Sequence, residues 1–232
     1  MRRHCGKHPI IGKGINSMLD NTATLKQHLR SKIRHARNLL SVSEQKLAAE
    51  NLKKIISTLE FFSQAKTISG YLAFDGEIDL KPVLDFAISN KKQCYLPILD
   101  KPAIAKGRDL FFAPFTHSTS LVVNSLGIYE PNLHKTSYTQ LICPHNLDLI
   151  LIPLVAFDRS GNRLGIGGGY FDAALKKLLV TNNLQHRPKL IGIAHSLQEV
   201  ASVPIDDWDI PLDAIVTNNE FIVPRSIRIC YP

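Results

Sequence analysis

The 232-residue sequence is sparse in cysteine and tryptophan and has no long apolar run. Its four cysteines, Cys5, Cys94, Cys143 and Cys230, lie far apart. None forms the close pair of a zinc knuckle or a dithiol redox motif. Idle or buried thiols in a reducing compartment are the expectation. No stretch approaches the roughly 18 consecutive apolar residues of a membrane span, and no apolar block of signal-peptide type precedes a small-residue cleavage site. A soluble protein is expected. With one tryptophan and no interleaving of basic and aromatic residues, the usual mark of a single-strand nucleic-acid platform is missing. Internal repeats and low-complexity blocks are missing too.

Acidic residues are outnumbered, 20 against 28 basic, for a formal charge of +8 and a pI near 9.4. That balance favours anionic partners, whether nucleic acid, anionic lipid, or small phosphates and carboxylates, without choosing among them. Part of the excess precedes the first acid, since Arg2, Arg3, Lys7 and Lys13 all lie before Asp20. Residues 1–21 lack periodicity and are expected to form a loosely ordered basic arm. A targeting peptide or an overextended start fits them equally. Residues 22–232, in a chain that is 44% apolar, supply one sizeable core and are expected to form a single domain.

From Thr24 apolar residues fall at Leu25, Leu29, Ile33, Ala36 and Leu40, the stripe of a buried helix face. The same helix carries Lys26, Arg30, Arg34 and Arg37 along another face, and a solvated surface is the ordinary reading of such a stripe. Ser41 and Glu44 make a capping pair that opens a second helix through Leu52 and Leu59 and closes a helical hairpin. Strands are expected over 67–74, 93–96 (stopped by Pro97), 110–113, 148–153, 189–194, 214–217 and 221–223, with helical segments over 80–88 and 170–180. Fully apolar strands alternating with helices predict an α/β domain, a mainly parallel sheet covered by helices on both faces.

The most informative run is Pro153 to Asp172. It leaves a buried strand, turns through Asp158 to Asn162, passes Gly165, Gly167, Gly168 and Gly169, and enters a helix at Tyr170. Open α/β sheets bind ligands at that edge. Glycines let successive N–H groups approach an anion, and the following helix adds its partial positive end. Arg163 offers a forked donor to phosphate oxygens. No Gly-Lys-Ser/Thr follows, and Tyr170 stands where a third dinucleotide-fold glycine would fall, so neither familiar nucleotide fingerprint is matched. Asp172, in the first helical turn, suits either the helix dipole or a magnesium ion held mainly by phosphates.

Phe157-Asp158, Gly161-Asn162-Arg163-Leu164-Gly165 and Gly169-Tyr170-Phe171-Asp172 resemble, in order and spacing, the signature segment of the 5-formyltetrahydrofolate cyclo-ligases. Lys26 to Arg30 resembles that family's N-terminal Lys-x-x-x-Arg, and Glu77 with Ile78-Asp79 its acidic turn. Gly127-Ile128-Tyr129-Glu130-Pro131 resembles its central motif, and Gln198, Pro204, Asp209, Asp213 and Thr217 its C-terminal pattern. The resemblance covers residues 25–223. It implies conversion of 5-formyltetrahydrofolate and ATP into 5,10-methenyltetrahydrofolate, ADP and phosphate. On that reading the formyl oxygen takes the γ-phosphoryl group and N10 closes the ring.

By the same resemblance, ATP would be bound by Lys26, Arg30, Arg163, Leu164, Gly165, Ile166, Gly167, Gly168, Gly169, Tyr170 and Phe171. The folate would be bound by Leu72 and Glu77 together with Ile166, Gly167, Gly168, Gly169 and Tyr170. Arg163 and Tyr170 would be catalytic, and Asp172 and Asp209 would hold Mg2+. Arg34 and Arg37 are left as surface charge. The expected partners are a small-molecule folate and ATP, with neither nucleic acid nor membrane, and a monomeric cytoplasmic enzyme is implied. Phe171, Trp208 and Asn218 depart from the family's tyrosine, histidine and glutamate. His195, near a strand end, reads as a structural partner rather than a base. A paralogue with an altered substrate and a basic nucleic-acid-binding protein stand as alternatives.

Overall fold

The computed structural model describes residues 12–99, 110–172, 174–175, 187–206 and 209–224, with residues 12–21 as backbone alone. Helix α1 spans Gly12–Asn38, so residues 12–21 are helical rather than the irregular arm expected from their lack of periodicity. No proline interrupts them, and a short extension of an established helix needs no new nucleus. Residues 1–11, Cys5 among them, lie outside the described residues, as do residues 176–180, Trp208 and Cys230.

Helix α2, Val42–Ser57, starts on the capping box legible in the sequence: the Glu44 amide donates to Ser41 Oγ, and the Glu44 carboxylate accepts from the Ser41 amide at 2.8 Å. It buries Ala48, Leu52 and Ile56. Although α1 and α2 follow each other through a short turn, they bury their apolar faces against different neighbours. Ile33 of α1 packs with Val155, Ala156, Leu164 and Val203, whereas Leu52 and Ile56 of α2 join the sheet core. After α3, Glu60–Gln64, comes strand β1, Thr67–Ser69. Helix α4, Lys81–Ser89, then buries Val83, Leu84 and Ala87.

The remaining strands are β2 Gln93–Ile98, β3 Phe111–Phe115, β4 Leu121–Val123, β5 Tyr129–Pro131, β6 Leu149–Pro153, β7 Ala156–Phe157, β8 Arg163–Leu164, β9 Lys189–Ala194, β10 Ala214–Thr217 and β11 Phe221–Ile222. Seven form one sheet in the order β11-β10-β9-β6-β1-β2-β3, while β4 with β5 and β7 with β8 form separate antiparallel pairs. The five central strands run parallel, and β3 and β11 are antiparallel edges. This is the α/β sheet the alternating pattern predicts.

Alternation within β6 explains its unbroken apolar run. Leu149 and Leu151 face the layer containing Leu52, Ile56 and Leu84, while Ile150 and Ile152 face the layer containing Phe112, Phe157 and Leu175. Burying each such side chain stabilises by roughly 1.5–3 kcal/mol, so neither face tolerates a polar residue. Strand β2 continues past Pro97 to Ile98, contrary to the expected stop. Strand β1 ends at the pair Ser69↔Tyr95, so the missing Pro97 amide costs no ladder bond on that side.

The chain leaves β1 toward β2 on one side and leaves β6 toward β9 on the other. This reversal opens a crevice beyond the carboxyl ends of β1 and β6. The segments that follow those two strands, 70–80 and 154–172, therefore meet there.

Candidate active site

A cavity of about 490 Å³ occupies that crevice. Every residue expected to bind ATP, folate or metal lines it: Lys26, Arg30, Leu72, Glu77, the unbroken run Arg163 to Asp172, and Asp209. Sequence separations above 100 residues are thereby closed by the sheet topology. The cavity also takes in side chains that no sequence signal singled out, among them Tyr71, Leu96, Leu99 and Asp206. Ile128, Tyr129 and Glu130 join it from the central motif. Glu130 is almost fully buried and accepts from the Leu99 amide and Asn124 Nδ2, both at 2.9 Å.

The segment after β6 is built on Asp158. Its carboxylate accepts from the amides of Ser160, Asn162 and Val203 and from Asn162 Nδ2. That fixes the turn between β7 and β8 and presents Arg163, on β8, to the cavity. The glycine loop follows directly. Gly167 and Gly169 have φ of 105° and 66°, values that a residue with a Cβ adopts only at a cost. A Cβ at Gly168 would lie 2.6 Å from the Tyr170 ring. Gly165 differs, because a Cβ there would meet nothing within 4 Å and would project into open space.

The four cations of the α1 stripe, Lys26, Arg30, Arg34 and Arg37, separate into two environments. Lys26 Nζ donates to Asp206 Oδ2 at 2.7 Å and to Asp209 Oδ2 at 3.0 Å. Burial opposes its charge, but the two carboxylates outweigh burial and hold its pKa above the ordinary value. Arg30 Nε donates to the Gly165 carbonyl at 2.9 Å, and its guanidinium lies beneath Gly167. Arg34 and Arg37 instead grip Asp75. Arg37, expected as surface charge, is fully buried. A helix face 27 residues long runs from the cavity into the protein, so one stripe of cations meets two environments.

Arg163 is also nearly buried, and its guanidinium donates to the Ile210 carbonyl and to Asp172. Burial lowers its pKa, while Asp172 and Asp209 pull it back. Each carboxylate expected to hold a metal thus has a cation as its partner, Asp172 with Arg163 and Asp209 with Lys26. Among the described residues no three His, Cys, Asp or Glu side chains form a metal-holding group. Two carboxylates on one cavity nevertheless fit magnesium, which takes one or two carboxylates and completes its shell with phosphates and water.

Glu77 sits at the other end of the cavity. Its carboxylate accepts from the Phe74 amide at 3.2 Å. Burial drives its pKa up to about 7, with Arg37 opposing the rise. His195 is outside the cavity lining and buried, and burial, reinforced by Arg37, lowers its pKa to about 4. It stays neutral and meets the Gly76 backbone, as the structural reading anticipates.

Residues 22–218 match the model of the 5-formyltetrahydrofolate cyclo-ligase family. The chain belongs to that family. It is 35% identical over 186 residues to a 5-formyltetrahydrofolate cyclo-ligase of Escherichia coli strain K12, covering 80% of this chain and 96% of the relative. It is 35% identical over 189 residues to that of Haemophilus influenzae, covering 81% and 94%. The solved structure of Aquifex aeolicus 5,10-methenyltetrahydrofolate synthetase superimposes with a TM-score of 0.70 at 30% identity, covering 90% of this chain and 97% of that one.

The cyclo-ligase motif residues divide into two groups. Lys26, Arg30, Glu77, Arg163, Asp172 and Asp209 line the cavity. Others brace it: Gln198 donates to the Leu154 and Val155 carbonyls, Asp213 pairs with Arg187, and Thr217 Oγ1 accepts from the Asn219 and Glu220 amides. Of the departures from the motif, Phe171 packs against the core layer around Leu175. Asn218 accepts from the Ser196 amide at 2.8 Å and does not line the cavity.

Proposed function

We propose that the protein converts 5-formyltetrahydrofolate and ATP into 5,10-methenyltetrahydrofolate, ADP and phosphate. The observation that carries this reading is the meeting, in one cavity, of a cationic and glycine-rich end with an apolar wall that ends in the half-buried Glu77. Lys26, Arg30, Arg163 and the loop amides from Leu164 to Phe171 take the triphosphate. Leu72 packs on the folate, and Glu77 accepts a hydrogen bond from its pterin end. Residues Ile166 to Tyr170 lie between the two ligands.

An amide-like formyl oxygen is a poor leaving group, so ATP converts it into phosphate. The oxygen attacks the γ-phosphorus and ADP departs. N10 then adds to the activated carbon and loses its proton, the carbon–oxygen bond breaks, and inorganic phosphate leaves. The chain contributes position and charge. Arg163 faces the transferred group, and Tyr170, at the start of the helix, closes the loop over the reacting atoms. Asp172 and Asp209 would hold Mg2+, which supplies charge neutralisation on the phosphates.

The same reading takes the enzyme as a cytoplasmic monomer acting on small molecules, without nucleic-acid or membrane partners. No helix among the described residues is long and apolar enough to cross a membrane. Mixing the protein with MgATP and 5-formyltetrahydrofolate tests the reaction. Methenyl product and ADP should appear in equal amounts, and ADP without methenyl product would overturn it.

A further inference from the structure

Arg37 is the largest fully buried side chain of the described residues, yet it does not line the cavity. Burying a guanidinium is strongly disfavoured unless its donors are met. Here they are met by one turn and one neighbouring carbonyl. Nε donates to the Asp75 carbonyl at 2.7 Å, Nη2 to Asp75 Oδ2 at 3.0 Å, and Nη1 approaches the Leu154 carbonyl at 3.5 Å. Arg34 donates to the same carboxylate oxygen, and Asn38 Nδ2 to the other at 2.9 Å. From α2, Gln45 Nε2 reaches the Gly76 carbonyl at 3.3 Å.

This clamp fixes the place of a tight turn against α1. Asp75 and Gly76 have φ of 51° and 74°, and the Glu77 amide donates back to the Phe74 carbonyl at 3.1 Å. Positive φ at both central positions is the mark of a type I′ turn, and Asp-Gly is a pair that this turn favours. A Cβ at Gly76 would lie 2.6 Å from Asn38 Oδ1, so α1 packs directly on the turn. Glu77 is the next residue, and its carboxylate folds back onto the Phe74 amide while facing the cavity.

Resting on the assignment of Glu77 to the folate, we propose that Arg37 is a positioning residue that holds the Asp75-Gly76 turn and thereby sets the Glu77 carboxylate for the folate. Helix α1 then spans both halves of the site. Lys26 and Arg30 lie at its phosphate end and Arg37 at its folate end, with roughly 16 Å of rigid helix between Lys26 and Arg37 at 1.5 Å per residue. One element therefore fixes the acid that holds the folate relative to the cations that hold the nucleotide.

The charged and titratable groups facing Glu77 are Arg34 and Arg37 from α1 and Asp75 and Tyr71 from its own loop. His195, at the end of β9, touches the Gly76 backbone and stays neutral. Arg37 is the first-ranking opponent of the burial that raises Glu77. Its loss moves Glu77 further up, so folate binding to the ionised acid requires a higher pH.

The experiment measures folate and ATP affinities separately, by calorimetry across pH 5.5 to 9, on folded protein verified by circular dichroism. Arg37→Met should weaken 5-formyltetrahydrofolate binding about tenfold, the effect of losing charge-assisted hydrogen bonds. ATP affinity should stay within about twofold, and the pH midpoint of folate binding should rise. Arg37→Lys should restore the midpoint but not the affinity, because it keeps the charge without the fork. Arg34→Gln with Asn38→Ala, on the exposed side of the clamp, should weaken folate binding by roughly threefold and serves if Arg37→Met does not fold. Wild-type folate affinity in folded Arg37→Met, or in the double variant should Arg37→Met not fold, overturns the proposal, as does an equal loss for both ligands. Glu77→Gln separates the two readings. If it abolishes the pH dependence while the Arg37 variants are silent, only the positioning role fails. If Glu77→Gln itself is silent, the folate assignment fails.

Discussion

The ammonium of Lys26 stands 3.0 Å from the carboxylate of Asp209. The cation proposed for phosphate and the acid proposed for metal therefore neutralise each other, and Arg163 and Asp172 repeat the arrangement. Both pairs are desolvated on at least one side, which limits the cost of holding four charges around one cavity. A triphosphate with its magnesium would exchange these partners: phosphate oxygens for the carboxylates on Lys26 and Arg163, and metal for the cations on Asp172 and Asp209.

Metal and nucleotide should accordingly bind together. With metal chelated by EDTA, ATP must displace Asp209 from Lys26 and Asp172 from Arg163 with nothing to receive the freed carboxylates. ATP affinity measured by calorimetry should fall by at least about tenfold on EDTA addition, the scale of one charged hydrogen bond left unmet. Equal affinity with and without magnesium would show that the pairs do not open.

Arg163→Ala and Asp172→Asn should each lower turnover by about 100-fold or more, the usual effect of removing a donor or charge aimed at a developing anion. Circular dichroism should remain native. Methenyl formation at saturating substrates measures the loss, and near-normal turnover in either variant removes that residue from the chemistry.

The glycine loop offers a contrast within five residues. Gly167→Ala forces a side chain into a φ of 105°, costing roughly 1–2 kcal/mol, and should reduce both thermal stability and ATP affinity. Gly165→Ala meets no atom within 4 Å and should melt like the parent chain. If the two variants melt alike, the loop does not hold this conformation in solution.

His195 makes stability fall on acidification. Its pKa is about 4 in the folded chain against an ordinary 6.5, so between those values the unfolded state binds the proton and the folded state does not. Stability contributed by the neutral ring is complete above pH 6.5 and is lost as pH falls toward 4. Glu77, raised to about 7 from 4.5, acts oppositely: stability declines as pH rises from 4.5 to 7. A urea-denaturation series at each pH should show His195→Asn losing the acid-side decline while keeping the Glu77 slope. An unchanged acid limb would reassign it to other groups.

How much of this was legible beforehand depended on range. The capping box of α2, the two-faced burial of β6 and the loop glycines that need positive φ are written within a few neighbouring positions, where periodicity and backbone sterics act. The onset of α1 was misplaced because helix continuity does not require an apolar stripe. Asp206 carried no local signal at all, since its partner Lys26 lies 180 positions away.

The sequence alone therefore determined the α/β class and the family, and it marked the glycine loop and the residues that the cavity brings together. Tertiary structure decided which two of the four cations in one stripe enter the cavity and which one is buried under the Asp75-Gly76 turn. It also decided that a turn glutamate, ordinarily solvated, becomes an acid raised toward neutrality. Spacing along a helix sets the direction of a side chain, but the charge state and partner of that side chain come from desolvation and from groups brought close only when the sheet assembles.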